Sequence, residues 1–111
     1  MMLRTVIRCL AAIAITTATQ AFAQDPIMVG ITPTGIPLTF VDIATEKPTG
    51  AMVDLASAIA TDMGTRAHFQ VSAFPALIPA LTSGKINLIS AAMFITDKRK
   101  EVINFSTPVY A

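Results

Sequence analysis

Apolar residues between positions 52 and 63 recur at the spacing of one helix face, and this pattern constrains the fold more than any other feature of the sequence. They stand at i, i+3, i+4, i+7, i+8 and i+11, and are Met52, Leu55, Ala56, Ile59, Ala60 and Met63. Polar residues occupy the opposite face, and Gly64 follows at the position where glycine commonly ends a helix. We therefore predict a helix over residues 52–63 that buries one face against other elements.

Short apolar segments of strand type flank this helix. Ile27–Ile31 precedes a loop rich in proline and glycine, and residues 38–43 alternate as a half-buried strand does before a predicted turn at 45–50. Ala67–Val71 alternates apolar and polar residues as a second core strand would. Residues 86–93 are apolar on both faces, which is typical of a central strand in a parallel sheet with helices on both sides.

A second helix is indicated by another apolar stripe at helical spacing. The stripe consists of Phe74, Leu77, Ile78 and Leu81, and Gly84 follows it. Pro79 has no backbone N–H, so a helix tolerates it in the first turn, where that donor has no intrahelical partner. We therefore expect this helix to begin near Ala76.

The order of these elements predicts an α/β fold. A strand, a hairpin strand, a helix, a strand, a helix, a strand, a short helix and a final strand follow one another along the chain. In such sheets, ligands bind beyond the carboxyl ends of the strands. Residues 32–35, 72–74 and 92–99 each follow a strand, so we expect these segments to meet at one edge of the sheet.

A short helix with three consecutive cations follows the last apolar run. Thr96 is a typical N-cap, because its hydroxyl accepts a hydrogen bond from a first-turn N–H. Lys98, Arg99 and Lys100 then lie in the first turn, where the helix dipole disfavours each positive charge by about 0.3–1 kcal/mol. Two interpretations are open from the residues alone: a bound anion that requires these cations, or a charge run that is simply solvated.

The N-terminal segment has the pattern of a secretory signal peptide. Arg4 and Arg8 precede an apolar run at 9–17 that is too short to span a bilayer, and a small-x-small pattern ends at Ala23. We predict cleavage after Ala23. A transmembrane anchor is the alternative, but polar residues follow the run. A lipoprotein would use Cys9, but Arg8 stands where such signals have a small residue.

The charge balance and the cysteine content limit the partners and the cross-links that the chain can have. Two of the eight Lys and Arg residues lie in the signal, so six remain against seven Asp and Glu residues. This balance lacks the basic excess of nucleic-acid-binding proteins, so we expect no nucleic-acid partner. The single cysteine is Cys9, so a chain cleaved after Ala23 holds no disulfide.

Catalytic and metal-binding patterns are not recognisable in the sequence. His68 is the only histidine, and it falls on the polar face of the strand Ala67–Val71, where surface histidines are common. No aspartate, glutamate or cysteine pattern near it completes a metal set. The helical acids have the positions of solvated or capping residues; they are Asp54, Asp62, Asp97 and Glu101. We therefore expect no catalytic residue, no metal and no cofactor.

Three collinear segments carry a family pattern. They are GAMVDLASAIATDMG at 50–64, ALIPALTSGKINLI at 76–89 and FITDKRKEVINFSTPVY at 94–110. Their most specific parts are Gly50 with Asp54-Leu55, Leu81-x-x-Gly84-Lys85-Ile86, and Thr96-x-x-Arg99 before Phe105-Ser106-x-Pro108-x-Tyr110. The chain resembles, over residues 27–111, the family 3 extracellular solute-binding proteins, which are periplasmic polar amino acid receptors of ABC importers. The resemblance implies a fold like that of type II periplasmic binding proteins, with a three-layer αβα first lobe.

The resemblance also implies a ligand site. Arg99 matches the arginine that grips the ligand α-carboxylate, and its planar fork suits two parallel hydrogen bonds. Backbone N–H groups from Ala92 to Phe94 and at the Thr96 helix start would complete the site. Phe74 matches a residue that packs on the ligand side chain, but it also begins the apolar stripe of the second helix, so core packing is an equal alternative.

The sequence departs from the family pattern at several positions and in length. Phe94 stands where a small hydroxyl residue is frequent, and Gly35 where an aromatic often stacks on the ligand. Ala91 and Ala92 stand where serine or glycine is frequent. Family members are roughly twice as long and close two lobes on the ligand. We therefore expect residues 24–111 to be a partial first lobe, truncated before the second, that binds its ligand weakly or not at all.

The function that the resemblance implies is that of a monomeric substrate-binding protein, which binds a polar amino acid in the periplasm and delivers it to an ABC permease in the inner membrane. Two other functions remain open for this fold. One is an exported dehydratase of the cyclohexadienyl or prephenate type, which needs a cleft carboxylate or histidine as general acid. The other is the ligand-sensing lobe of a membrane receptor, which needs a transmembrane segment downstream.

Overall fold

The computed structural model describes residues 24–110, so the predicted signal peptide at 1–23 lies outside the described residues. Within this range the strands are β1 (Ile27–Ile31), β2 (Phe40–Val41), β3 (Pro48–Thr49), β4 (Ala67–Val71) and β5 (Leu88–Ile89). The helices are α1 (Ala51–Asp62), α2 (Phe74–Thr82) and α3 (Asp97–Lys100). Strands and helices alternate after β3, which confirms the predicted α/β class. None of the helices in residues 24–110 is both long enough and apolar enough to cross a membrane.

β1 is the centre of a three-stranded parallel sheet with the order β4, β1, β5. Its five residues pair with all of β4, from Ile27 opposite Ala67 to Ile31 opposite Val71. The prediction that residues 86–93 form the central strand is wrong, because β5 is a two-residue edge strand. The extended backbone ends soon after it, since Ala92 adopts a left-handed conformation with φ of 51°.

The two longer helices cover opposite faces of this sheet. Val29 and Ile31 are fully buried on one face, where they pack with Val53 and Ala56 of α1. Gly30 points to the other face, because successive strand residues alternate. There it faces α2, and a Cβ added at Gly30 would lie 3.1 Å from the Leu77 side chain. These contacts confirm the predicted helix–sheet–helix layers.

Helix α1 has the bounds that its apolar periodicity predicts, to within one residue at each end. Its C-terminus is a Schellman motif: Thr65 N–H donates to the Ala60 carbonyl at 2.9 Å, and Gly64 N–H to the Thr61 carbonyl at 3.0 Å. Gly64 adopts the required positive φ of 78°. The predicted stop at Gly64 is therefore confirmed with its physical cause.

Helix α2 begins two residues earlier than predicted. It starts at Phe74 rather than near Ala76, because Pro75 has the fixed φ that suits a first turn. Pro79 therefore lies inside the helix, and it cannot donate to the Pro75 carbonyl. Both prolines are exposed, so water can solvate that carbonyl.

The hairpin between β1 and α1 also differs from the prediction. β2 pairs antiparallel with β3, with Phe40 opposite Thr49, so strand residues occupy part of the predicted turn at 45–50. The turn begins at Asp42 instead, whose carboxylate accepts hydrogen bonds from the N–H groups of Ala44 and Thr45 at 2.8 and 2.9 Å. The predicted final strand is wrong as well, because residues 101–110 contain no strand.

Candidate functional site

The loops at the carboxyl ends of β1 and β4 are joined directly. The Thr32 hydroxyl donates to the Ser72 carbonyl at 2.6 Å, and Ser72 N–H donates to the Ile31 carbonyl at 2.9 Å. These bonds hold the start of α2, and with it Phe74, beside the end of the central strand. The third segment at this edge follows β5 and leads to α3.

Arg99 of α3 lies over the aromatic ring of Phe74. Its guanidinium carbon is 5.4 Å from the ring centroid, within the range of a cation–π contact. Both side chains are half-buried. The ring lies at the first residue of α2, and the guanidinium comes from α3, which follows the loop after β5, so this contact brings two of the predicted segments together.

Arg99 is also anchored to its own loop. Its Nη1 donates to the Phe94 carbonyl at 2.7 Å, and its backbone N–H donates to the Thr96 hydroxyl at 3.2 Å. The second bond confirms Thr96 as the N-cap of α3. A guanidinium carries five N–H donors. Within residues 24–110, Phe94 supplies the one acceptor to this guanidinium and no carboxylate pairs with it, so most of the donors remain available.

The neighbouring cations differ from Arg99. Lys100 Nζ lies 3.7 Å from an Asp97 carboxylate oxygen in an exposed pair, and Lys98 is exposed as well. Exposed pairs of this kind contribute about 0–1 kcal/mol. Of the three consecutive cations, Arg99 is the one whose side chain packs against the candidate site.

Ala92 is the residue of the predicted set whose hydrogen bond goes to Tyr110 and not to Arg99. Its φ of 51° turns the backbone between β5 and α3, and its carbonyl accepts a hydrogen bond from the Tyr110 hydroxyl at 2.9 Å. A left-handed residue within such a loop is a feature of backbone nests, which turn successive N–H groups toward an anion. The sequence did not predict the Tyr110 contact, although Tyr110 is the only tyrosine of the chain.

An apolar cleft of about 650 Å³ lies along the β5 edge of the sheet and borders the candidate site. Its walls come mainly from α1, β5, the loop before α3 and the segment after α3, and they include Leu55, Ile59, Leu88, Ile103 and Phe105. Arg99, Phe74 and Thr96 are not among them. The apolar lining does not suit a charged ligand, so we place the candidate site at the Arg99 loop. Ala92 to Phe94 also line the cleft, and the Phe94 carbonyl accepts the Arg99 hydrogen bond, so this loop is shared by the cleft and the Arg99 site.

The titratable groups that the structure describes near Arg99 form no metal site. Among the described residues, no cluster of three or more His, Cys, Asp or Glu side chains could hold a metal ion. His68 is exposed on the edge strand β4, opposite Met28 of β1. The arrangement around Arg99 therefore offers hydrogen-bond donors and an aromatic face, which together suit recognition of an anionic group.

Sequence comparison identifies periplasmic binding proteins among the relatives. The histidine-binding periplasmic protein of Salmonella typhimurium strain LT2 is 35% identical over 101 residues, which cover 89% of this chain and 38% of that protein. The chain thus spans well under half the length of this relative.

Solved structures give a similar result. The structure of an ancestral arginine-binding protein bound to arginine is 40% identical with a TM-score of 0.73, covering 77% of this chain and 37% of that one. The arginine-bound form of domain 1 from TmArgBP is 37% identical with a TM-score of 0.72, covering 76% of this chain and 66% of that domain. These similarities confirm the predicted type II periplasmic binding fold.

The family assignment rests on nearly all of the described residues. The model of the bacterial extracellular solute-binding proteins, family 3, matches residues 27–111, from the first residue of β1 to the end of the chain. This match includes the complete sheet, the α3 N-cap and the Arg99 loop. The chain belongs to the bacterial extracellular solute-binding proteins of family 3.

Proposed function

We propose that this chain binds the α-carboxylate of a polar amino acid at Arg99, as part of the substrate-binding component of an ABC importer. The observation that carries this proposal is the state of the Arg99 guanidinium. It is held by the Phe94 carbonyl at 2.7 Å and covered by the Phe74 ring at 5.4 Å, while donors remain for a ligand.

A carboxylate fits this arrangement for energetic reasons. Two parallel hydrogen bonds from a guanidinium to a carboxylate are charge-assisted, and each contributes about 1.5–3 kcal/mol. Because Phe94 and Phe74 already fix the side chain, binding loses less rotamer entropy than it would with a mobile arginine. N–H groups of the segment from Ala92 to Phe94 would donate further hydrogen bonds to the carboxylate.

Basic amino acids are the first candidates for the ligand. The relatives reported above are named for binding histidine and arginine. Domain 1 of TmArgBP is described as arginine-bound, so a single domain of that protein holds its ligand. This supports testing the present chain directly with arginine and histidine, at concentrations that detect the weak binding expected of a partial lobe.

The test is an NMR titration of the purified chain with L-arginine and L-histidine. We expect saturable shifts of the amides from Ala92 to Arg99. Agmatine and histamine, which lack the α-carboxylate, should shift these amides far less. Arg99→Ala should weaken binding at least about tenfold, since it removes the charge-assisted bonds. Lys98→Ala, the matched control, should bind as the unchanged chain does. Equal shifts with agmatine, or unchanged binding by Arg99→Ala, would contradict the proposal.

The same proposal covers location, domain boundaries and partners. Residues 1–23 are removed on export, by cleavage after Ala23. Residues 24–111 then serve as part of the first lobe of a periplasmic monomer that works with an inner-membrane ABC permease. The Salmonella relative is named as a periplasmic protein, which supports this location. The intact mass of the exported chain tests the boundary, because a mature N-terminus other than Gln24 would refute it.

We also propose that the role is binding without catalysis. The three relatives reported above are named for binding, which supports this choice over a dehydratase. Incubation of the chain with prephenate, followed by absorbance, tests the alternative. Turnover that is lost on substitution of a described acidic residue would overturn the non-enzymatic role.

A further inference from the structure

The Tyr110 hydroxyl reaches back across 18 positions to the Ala92 carbonyl, at 2.9 Å. Ala92 is one of two residues other than glycine in the described chain with a positive φ, at 51°. We infer that Tyr110 is a positioning residue for the anion-binding segment 92–94, holding its backbone so that N–H groups face the ligand. This inference rests on the proposed function, since it assigns a role within the same site.

The conformation of Ala92 needs support from outside the loop. An alanine seldom adopts a left-handed backbone, because its Cβ then crowds the following carbonyl oxygen. A hydrogen bond from a side chain far along the chain fixes that carbonyl in one direction. Tyr110 supplies this bond, so the strained turn at Ala92 is tied to the segment that follows α3.

Fixing the Ala92 carbonyl also fixes the next donor. A trans peptide unit is planar, so its C=O and N–H point in opposite directions. With the Ala92 carbonyl held toward Tyr110, the N–H of Met93 is held away from Tyr110. Two residues further on, the Phe94 carbonyl is held by Arg99 Nη1 at 2.7 Å. The peptide units between these carbonyls are thus restrained at both ends, by two side chains from later in the sequence.

A merely structural role for Tyr110 makes different predictions. If the tyrosine only anchored the segment after α3, loss of its hydroxyl would lower stability without weakening ligand binding. Its effect would also not depend on the residue at position 92. Both points can be measured.

The first experiment compares Tyr110→Phe with Ser106→Ala in the full chain. Each removes one hydroxyl that donates to a backbone carbonyl, and the Ser106 bond is local, to the Thr107 carbonyl at 3.0 Å. In the ligand-free chain, Tyr110→Phe should shift the Met93 and Phe94 amide resonances, and Ser106→Ala should not. With L-arginine as probe, Tyr110→Phe should raise Kd about three- to tenfold, the range expected for one hydrogen bond.

The second experiment is a rescue by glycine. Glycine adopts a positive φ without steric cost, so Ala92→Gly should make the tyrosine hydroxyl less important. In that background Tyr110→Phe should change Kd less than about twofold, a ratio close to the error of such measurements. An equal loss in both backgrounds, or unmoved Met93 and Phe94 amides, would overturn the inference. If the unchanged chain binds no amino acid, the proposed function fails, and the ligand-free amide shifts alone decide the role of Tyr110.

Discussion

The Arg99 guanidinium carbon lies 5.4 Å from the centroid of the Phe74 ring. Phe74 belongs to α2 and Arg99 to α3, so their contact joins the helices that follow β4 and β5. The sequence left Phe74 with two alternatives, ligand packing or core packing. In the structure its half-buried ring packs against the Arg99 guanidinium, and its contact with a ligand stays a prediction.

Replacing the ring should weaken ligand binding more than it weakens the fold. We expect Phe74→Leu to raise the Kd for L-arginine about two- to fivefold, because an exposed cation–π contact contributes about 0.5–1 kcal/mol. Phe74→Trp keeps an aromatic face and should retain affinity. Calorimetry or NMR titration measures both variants, with urea unfolding as the check on folding. Unchanged affinity in Phe74→Leu would show that the ring does not orient Arg99.

Ser90 should contribute to stability through one buried hydrogen bond. Its hydroxyl donates to the Met52 carbonyl at 2.7 Å, which ties the end of β5 to the first turn of α1. We expect Ser90→Ala to lower the free energy of unfolding by about 0.5–1.5 kcal/mol. Ser83→Ala removes an exposed hydroxyl that bonds the Ala80 carbonyl, and it should change stability by less than about 0.5 kcal/mol. Equal losses in urea unfolding would argue against a special role for the buried bond.

Gly30 should tolerate no side chain while Ile86 keeps its full length. A Cβ at Gly30 would clash with the Cδ1 atom of Ile86 and approach Leu77. We expect Gly30→Ala to destabilise the fold by about 1–3 kcal/mol through overpacking. Ile86→Val removes the clashing atom. The double variant should therefore lose less free energy of unfolding than the sum of the losses in the two single variants. Strict additivity in urea unfolding would contradict this packing.

The hairpin turn should depend on pH through Asp42. Backbone hydrogen bonds from Thr45 and Ala44 hold the pKa of the Asp42 carboxyl below its usual value of 3.8. Because the folded pKa is lowered, the turn is stabilised in full above the unfolded pKa of about 3.9, and this contribution disappears as pH falls through the folded value. The Ala44 and Thr45 amide resonances should report this titration.

Asp42→Asn provides the control for that measurement. It keeps an acceptor oxygen but has no proton to gain, so its turn amides should show no transition in the acid range. A midpoint at or above 3.8 in the unchanged chain would mean that the hydrogen bonds do not favour the ionised carboxyl.

The parts of the fold that were predictable from sequence are those fixed by long apolar periodicity. Helix α1 buries four residues on one side, and Ala67 and Phe69 of β4 are half-buried between exposed neighbours, so the apolar spacing alone gave the bounds of both elements. The β5 edge and the hairpin were not predictable in this way. Their limits depend on tertiary contacts, such as the Ser90 bond to Met52, and on the carboxylate of Asp42, which organises a turn earlier than the Pro-Thr-Gly sequence indicates.

The candidate site was predictable where a local motif defines it. The Thr96 cap and the position of Arg99 follow from neighbouring residues, and the structure brings both beside Phe94. Their roles toward a ligand stay predictions. The Tyr110 contact with Ala92 was not predictable from spacing, because it depends on how the chain returns after α3 and on a left-handed alanine that residue type does not favour.

The bonds between Thr32 and Ser72 and between Ser72 and Ile31 have a consequence for the kinetics of recognition. They fasten one wall of the site to the central strand, so the Phe74 ring is in place before any solute arrives. Ordering of that wall occurs during folding and not during encounter. An amino acid that meets this chain would find this wall already shaped, and the Arg99 side chain is likewise held in advance by the Phe94 carbonyl and the Phe74 ring.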